Sequence, residues 1–231
     1  MREIAMDTET TGLNPDEGHR IVEIGCVELI NHVATGAVYH QYINPERDMP
    51  TEAFEVHGLS EERLSKEPVF ADVGDEFLEF IGDANLVIHN AAFDMRFLNA
   101  ELGWAKKPLI DTARAIDTLG IARQKFPGAQ NSLDALCRRF GIDNSARVLH
   151  GALLDSEILA EVYLELIGGK QPDFVMDTGP LPAGNDTTTG EWRPGPRPNA
   201  LRPRLSEKEK AAHAAFVETL GDEAVWKKIG A

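Results

Sequence analysis

The residues of this chain most suited to chemistry are acidic and lie near the ends of predicted strands and helices. Asp7 and Glu9 stand two residues apart and follow a short apolar strand, Ile4-Ala5-Met6. Because a strand alternates its faces, their carboxylates project to the same side. Adjacent carboxylates repel unless a cation lies between them, and hard divalent cations prefer oxygen ligands. The pair is therefore predicted to form half of a metal site.

Two further aspartates are predicted to complete this site. Asp94 begins a helix that follows another short strand, and Asp155 lies early in a later long helix. An aspartate at a helix start is more often a cap than a ligand, and in isolation the cap is favoured for Asp94. In combination, a mixed sheet could place the four carboxylates along one edge, where they would hold two Mg²⁺ or Mn²⁺ ions about 3.5–4 Å apart.

His150 is the candidate general base. It precedes Asp155 by five residues and stands directly before Gly151 at the predicted helix start. An imidazole beside an activated water can take up a proton near neutral pH. Zinc is disfavoured, because oxygen ligands dominate and the sequence shows no Cys or His cluster. Four other histidines are interpreted as surface or hydrogen-bonded groups: His19, His32, His40 and His213.

The chain is acidic, which limits how it could bind a polyanion. Its 231 residues include 38 Asp and Glu against 23 Lys and Arg, for a formal charge of −15. Such a balance does not hold nucleic acid by charge alone, so metal ions must offset repulsion or a partner must deliver the substrate. Cys26 and Cys137 are expected to be reduced core thiols. The sequence shows no membrane-length apolar run and no basic leader, so a soluble, cytoplasmic protein is expected.

Three antiparallel strands are predicted to open the fold. Two β-branched segments, Arg20–Ile30 and Val33–Ile43, meet at Asn31-His32 and predict a hairpin that continues the Asp7 strand. The apolar spacing of Phe70 to Ile81 is typical of a helix with one buried face.

Alternating strands and helices are predicted to follow. Short apolar runs alternate with one-sided apolar spacing, and Gly and Pro stand at the boundaries. The predicted elements are a strand over Leu86–Ile88, a helix ending at Gly103, a strand over Pro108–Asp117, a helix to Phe126, a helix capped by Asn131 or Ser132 and ended by Gly141, and a helix from about Leu153 to Ile167.

The composition changes after residue 170. Seven of the thirteen prolines lie between Gln171 and Arg204, which predicts a flexible linker over 171–204. Ser206 to Glu209 has the pattern of a capping box and opens a predicted helical segment over 205–231. A lone amphipathic segment cannot bury its own face, so a partner is expected to cover it. The apolar residues expected to contact that partner are Phe216, Leu220 and Trp226.

Three motifs resemble those of the DEDDh family of 3′–5′ exonucleases. In order, they are Asp7-Thr8-Glu9-Thr10-Thr11-Gly12, His89-Asn90-Ala91-Ala92-Phe93-Asp94 and His150-Gly151-Ala152-Leu153-Leu154-Asp155. The resemblance covers a domain of residues 1–170. It implies an α/β, ribonuclease H-like fold, in which a mixed sheet of roughly five strands is flanked by helices. Two other stretches, Phe54–Leu59 and Asn131–Cys137, are similar to the epsilon branch of that family, the proofreading subunits of bacterial DNA polymerase III.

The resemblance implies roles for the chemical residues. Asp7 would contact both metal ions, and Glu9 and Asp155 would complete one ion site. Asp94 would support the other site mainly through water, and His150 would deprotonate the attacking water. The implied cofactors are two Mg²⁺ or Mn²⁺ ions, and the implied product is a nucleoside 5′-monophosphate.

A terminal nucleotide is implied to lie beside the first motif. His57, Asn90 and Phe93 are candidate wall residues, and for each of them core packing or turn geometry is the alternative interpretation. The other residues implied to contact the substrate are Thr10, Thr11, Gly12 and Leu13, together with the metal-binding Asp7, Glu9 and Asp155.

The tail resembles two partner-binding segments of the epsilon branch. The peptide Gln171-Pro172-Asp173-Phe174-Val175 resembles one that touches the sliding clamp through Gln171 and Phe174, with a plain linker as the alternative. The segment from Leu201 to Ile229 is similar to the tail that holds the polymerase alpha subunit. Such tethering would raise the local concentration of the DNA 3′ end without new contacts to it.

The leading hypothesis is a metal-dependent exonuclease that removes mismatched 3′-terminal nucleotides from DNA as a proofreading subunit. Two alternatives stay open. One keeps the chemistry but degrades RNA or short oligonucleotides, and the other is a noncatalytic module that bridges polymerase and clamp. The presence of every motif residue argues against the noncatalytic module, because an inert site has no chemical need for them.

Overall fold

A mixed sheet forms the centre of the fold. The computed structural model describes residues 1–145, 147, 149–169 and 206–221. Within these residues the sheet has the strand order β3-β2-β1-β4-β5. β1 pairs antiparallel with β2 and parallel with β4, as the prediction of a mixed five-stranded sheet requires. The strands are β1 (Arg2–Thr10), β2 (Ile21–Ile30), β3 (Val33–Tyr42), β4 (Asn85–Ile88) and β5 (Ala115–Asp117).

Helices cover both faces of this sheet. One face packs against the third and fourth helices, and the other packs against the sixth and seventh. Both cysteines are buried and free, as predicted. In chain order the helices of this part are α1 (Thr51–His57), α2 (Glu61–Leu64), α3 (Phe70–Ile81), α4 (Ala91–Trp104), α5 (Thr118–Lys125), α6 (Leu133–Phe140) and α7 (Ala152–Leu166).

The predicted hairpin between β2 and β3 is confirmed. Asn31 and His32 form its turn with φ angles of 50° and 68°. Two consecutive left-handed residues give the backbone twist that joins two antiparallel strands through a short turn.

The fifth strand is shorter than predicted. Only Ala115–Asp117 pairs with β4, rather than the whole stretch from Pro108 to Asp117. The carboxylate of Asp111 accepts a hydrogen bond from the Ala113 backbone N–H (2.9 Å) and starts a single turn of 3₁₀-helix. This local hydrogen bond competes with strand pairing and delays it by several residues.

Ser132, and not Asn131, caps α6. The Ser132 hydroxyl accepts from the Ala135 N–H, and Gly141 ends the helix in the left-handed conformation. The Asn131 side chain donates instead to the carbonyls of Phe126 and Ala129, so it closes the preceding loop.

Gly25 allows α7 to approach the sheet more closely than any other residue type would. It pairs with Asp7 across β2 and β1. A Cβ atom at this position would lie 2.2 Å from the Ala152 carbonyl carbon and 2.2 Å from the Leu153 nitrogen, both backbone atoms of α7. The Ser156 hydroxyl donates to the Gly25 carbonyl (2.9 Å) and fixes the approach. The start of α7 is thereby held directly over the end of β1.

The second unit of the chain is described through α8 (Glu207–Thr219). Ser206 and Glu209 form the predicted capping box, with both reciprocal hydrogen bonds present. Phe216 on this helix is 61% exposed and Leu220, directly after it, is 47% exposed, so both present apolar surface. The predicted linker, the clamp-like residues Gln171 and Phe174, and Trp226 lie outside the described residues. None of the helices in the described part of the chain is long and apolar enough to cross a membrane.

The close approach at Gly25 predicts a large effect from one methyl group. Gly25→Ala should lower the free energy of unfolding by about 1–3 kcal/mol or more, because the obstructing atoms are backbone and cannot rotate away. Denaturant unfolding of the full chain measures this. Gly103→Ala is the matched control, since its Cβ would meet only the Leu109 side chain at an ordinary 3.9 Å. Equal stability of the two variants would contradict the proposed close packing.

Candidate active site

The register of β1 sorts its side chains between the two faces. Ile4 and Met6 pack against α3 and α4, and the Thr8 hydroxyl donates to Asp94 of α4, whereas Ala5 packs in the cluster beside α7. Asp7 and Glu9 follow the alternation of Ala5, so both carboxylates project on the side of α7 at the end of the strand. The sequence predicted this shared side.

Asp94 reaches the same place from the neighbouring strand. β4 runs parallel to β1, and the chain turns at Asn90 into α4, where Asp94 lies in the first turn. Asp117 holds this turn by accepting hydrogen bonds from the backbone N–H groups of Asn90 (3.1 Å) and Ala91 (3.3 Å). Asp94 itself accepts from the Thr8 hydroxyl (2.7 Å). It does not cap the helix, so the cap interpretation of Asp94 is wrong.

The predicted chemical residues line one open cleft of about 730 Å³ at this end of the sheet. Asp155 contributes from the first turn of α7, where its side chain is 3% exposed. His150 lies just before α7 at the cleft mouth, and its side chain is 48% exposed. The five residues brought together are Asp7, Glu9, Asp94, His150 and Asp155.

The donor atoms in this cleft fit a divalent cation. One ligand atom from each of Glu9, His150 and Asp155 lies within 4.8 Å of the others. The Glu9 Oε1 atom is buried without a hydrogen-bond partner among the described residues. A buried carboxylate oxygen without a donor is strongly disfavoured unless a cation or a proton compensates it. Carboxylate oxygens are the ligands that Mg²⁺ and Mn²⁺ prefer.

Burial raises the pKa values of three carboxyl groups here, and repulsion adds to the effect for two of them. Desolvation is the largest cause for each. It raises the pKa of Glu9 to about 8, with added repulsion from Asp155 and Glu23. It raises the pKa of Asp94 to about 7. For Asp7 the pKa is raised well above its ordinary value by burial and then by the charges of Asp94 and Glu9.

The pKa of Asp155 is lowered instead of raised, because the Arg147 guanidinium lies against its carboxylate. Burial alone would raise the pKa of Asp155, but the hydrogen bonds and the charge of Arg147 hold it below its ordinary value. The Arg147 guanidinium donates from Nε to Oδ1 (2.5 Å) and from Nη2 to Oδ2 (2.7 Å) of Asp155. Asp155 is therefore the ionised member of the cluster.

Sequence reasoning missed Arg147 and Gly25. Each had a signal, since Arg147 is a basic residue three positions before His150 in a chain of net charge −15, and a glycine inside an apolar strand often marks a close backbone approach. Neither signal identifies the contact, because the partners of Arg147 and Gly25 lie on other elements.

A second cleft of about 490 Å³ adjoins Glu9. His57 is buried there, its Nδ1 accepts from the Leu59 N–H (3.0 Å), and burial lowers its pKa. Asn90 lines neither cleft; it is exposed and left-handed, with a φ of 72°. The predicted substrate residues that line the second cleft are Thr10, Thr11, Gly12, Leu13, His57 and Phe93, and Phe93 also borders the first cleft.

A family model described as an exonuclease, RNase T, matches residues 4–163. The chain belongs to this exonuclease family. Relatives of this chain include DNA polymerase III subunit epsilon of Rickettsia conorii, which is 58% identical over 76% of this chain and 78% of the relative. The same subunit of Escherichia coli K12 is 52% identical over 73% and 72% of the two chains. That of Salmonella typhimurium is 46% identical over 98% and 97%.

Solved exonuclease structures share the fold. Exonuclease X in complex with 5′ overhanging duplex DNA is 28% identical, with a TM-score of 0.56 over 72% of this chain and 90% of that one. The nuclease domain of 3′hExo, a DEDDh family member bound to rAMP, has a TM-score of 0.63 at 20% identity over 72% and 91%. The ribonuclease H-like fold and the proofreading 3′–5′ exonuclease function are confirmed. The DEDDh family is metal-dependent, in agreement with the donor set.

The raised pKa values predict how stability without metal depends on pH. Between about pH 4 and pH 8 the folded chain holds protons on Glu9 and Asp94 that the unfolded chain has released, so stability falls as the pH rises through this range. Each unit of pKa difference corresponds to about 1.4 kcal/mol. Denaturant unfolding in EDTA, repeated across the range, measures the slope.

Glu9→Gln should reduce this slope, because it removes one of the groups whose pKa is raised in the folded chain. Stability that is independent of pH in the wild type, or an equal slope in Glu9→Gln, would contradict the assigned shifts.

Proposed function

We propose that the first cleft is where this exonuclease hydrolyses the phosphodiester bond of the 3′-terminal nucleotide. Asp7, Glu9, Asp94 and Asp155 would hold two Mg²⁺ or Mn²⁺ ions. The observation that carries the proposal is the convergence of these carboxylates from three separate elements, with a buried Glu9 oxygen that no described residue pairs with. Ions bound there would activate the attacking water and stabilise negative charge on the phosphate and the leaving oxygen.

His150 is proposed as the general base. Its half-exposed ring lies at the cleft mouth, where a water and a phosphate have access. Its Nδ1 is 3.5 Å from Oδ2 of Asp155, so a proton taken up by the ring would lie beside an ionised carboxylate. That carboxylate would stabilise the imidazolium.

The second cleft is proposed to hold the terminal nucleotide. The loop after the first motif is fixed there, since the Thr10 hydroxyl donates to the Gly12 carbonyl (2.7 Å) and Arg96 donates to the Leu13 carbonyl (2.7 Å). Leu13 is 79% exposed and Phe93 lies between the two clefts, so both offer apolar surface for a base to contact. Mismatched ends fray more easily, which would give selectivity without reading the base.

A cleavage assay tests the catalytic assignment. With Mg²⁺ or Mn²⁺, the wild type should shorten 5′-labelled single-stranded DNA from its 3′ end, faster than RNA of matching sequence. Asp7→Ala should lower the rate by roughly 100-fold or more, because it removes a ligand from the centre of the cluster.

Asp83→Ala is the control for this assay, because Asp83 is an exposed acid just before β4, at the other end of the sheet. Retained activity in a clean preparation of Asp7→Ala would refute the assigned site. Faster cleavage of RNA would favour a ribonuclease.

The chain beyond residue 170 is proposed to be a tether, with a linker over 171–204 and a polymerase-binding segment over 205–231. Exposed Phe216 on α8 and exposed Leu220, directly after the helix, support a contact with the polymerase alpha subunit. Gln171 and Phe174 are proposed to touch the sliding clamp. With a net charge of −15, the exonuclease would not attract DNA by its own charge, and tethering to the polymerase would bring the DNA 3′ end to it instead. The proposed location is the cytoplasm, where a bacterial polymerase works.

Phe216→Ser should weaken binding to the polymerase alpha subunit by about fivefold to tenfold, because a large exposed aromatic side chain on a partner helix is a typical hot spot. Calorimetry with the full chain measures the affinity. Lys208→Ser, on the same helix, should bind nearly as tightly as the wild type, and cleavage of free DNA should be unchanged in both variants. Undiminished binding by Phe216→Ser would refute the contact.

A further inference from the structure

The Arg147 side chain contacts three other side chains of the cleft. Besides its two hydrogen bonds to Asp155, its Nη2 lies 2.9 Å from Nδ1 of His150 and its Nη1 lies 2.8 Å from Oδ1 of Asp134 on α6. The Arg147 side chain is only 9% exposed. A single guanidinium thus contacts a proposed metal ligand and the proposed general base together.

The contact with His150 engages the lone pair that a base needs. A guanidinium can only donate, so Nδ1 of His150 must be the acceptor. A neutral imidazole that accepts at Nδ1 carries its proton at Nε2. In this arrangement neither ring nitrogen of His150 has a lone pair available for a proton from water.

The contact with Asp155 engages both carboxylate oxygens. The paired bonds form the fork geometry that arginine makes with carboxylates, which is the strongest arrangement of such a pair. A divalent ion that takes the same oxygens places a second cation beside the guanidinium in a buried site, where the repulsion between them is weakly screened. The ion and the guanidinium therefore compete for Asp155.

We propose that Arg147 is a displaceable counter-cation of the cleft: an entering divalent ion exchanges with its guanidinium at Asp155, and the exchange also releases Nδ1 of His150. Arg147 is a positioning residue in this account, since it acts through Asp155 and His150. Metal binding and exposure of the base are thereby coupled in one step. The inference rests on the proposed metal site.

The displaced guanidinium keeps its ion pair with Asp134. The Asp134 side chain is 44% exposed, and it accepts a second hydrogen bond from the Asn144 amide (2.9 Å). Asp134 belongs to α6 rather than to the proposed ligand set. Arg147 can therefore leave Asp155 while keeping one ionic contact at the edge of the cleft.

Metal affinity of the full-length chain tests the exchange without any nuclease assay. Mn²⁺ titration calorimetry should give an apparent Kd about tenfold lower for Arg147→Gln than for the wild type, because the competitor is gone. Arg147→Lys keeps the charge but cannot form the fork, and it should also bind Mn²⁺ more tightly than the wild type, by a smaller factor. In EDTA, Arg147→Gln should unfold at a lower temperature, since Asp155 loses its partner.

The combination of tighter metal binding with lower stability in EDTA distinguishes exchange from a merely structural role. Arg138→Gln is the charge-matched control, because Arg138 is an exposed residue of α6, and its Mn²⁺ affinity should equal that of the wild type. Unchanged or weaker Mn²⁺ binding by both Arg147 variants would overturn the proposal. A wild type that binds no Mn²⁺ would instead refute the proposed metal site.

A measurement on the unaltered chain decides the matter if Arg147→Gln does not fold. In ¹⁵N-labelled protein, the Nε–H signal of Arg147, identified by its loss in Arg147→Lys, should shift as Mg²⁺ is added, with a midpoint equal to the Kd that calorimetry gives for Mg²⁺. A signal that stays unchanged at saturating Mg²⁺ would overturn the exchange.

Discussion

The mutual repulsion of buried carboxylates at the end of β1 is the constraint on which the functional part of the structure depends. Burial disfavours ionisation of Asp7, Glu9 and Asp94 and raises the pKa of each, and repulsion from neighbouring carboxylates adds to it for Asp7 and Glu9. The chain supplies a direct counter-charge to Asp155 through Arg147. Protons or divalent cations must compensate the others, so the same repulsion that weakens the folded state favours metal binding.

The architecture supports this cluster with little freedom of movement. A parallel strand delivers Asp94 beside the end of β1, and the left-handed turn at Asn90 is tied to Asp117. Because Gly25 has no side chain, the first turn of α7 packs directly on the sheet, and Asp155 lies above Asp7. Because three elements contribute and each is held by the core or by hydrogen bonds, the donor geometry is a property of the whole fold rather than of one motif.

Sequence patterns predicted the parts that depend on local periodicity. The hairpin at Asn31-His32, the one-sided helix over Phe70–Ile81 and the shared side of Asp7 and Glu9 all follow from spacing within one element. Contacts between distant elements could not be predicted in this way. The fork from Arg147 to Asp155 and the shortened β5 depend on where neighbouring elements lie and on local hydrogen bonds that compete with pairing.

The most direct test of the account is the number of protons released when the full-length chain binds Mn²⁺ at pH 7. Calorimetric titration in buffers of different ionisation enthalpy measures this number. We expect release of at least about one proton per chain, and a smaller release from Glu9→Gln, because Glu9 and Asp94 must ionise to hold an ion. Binding heat that is the same in every buffer would mean that no proton leaves, and it would contradict a cluster whose buried carboxyl groups exchange protons for metal.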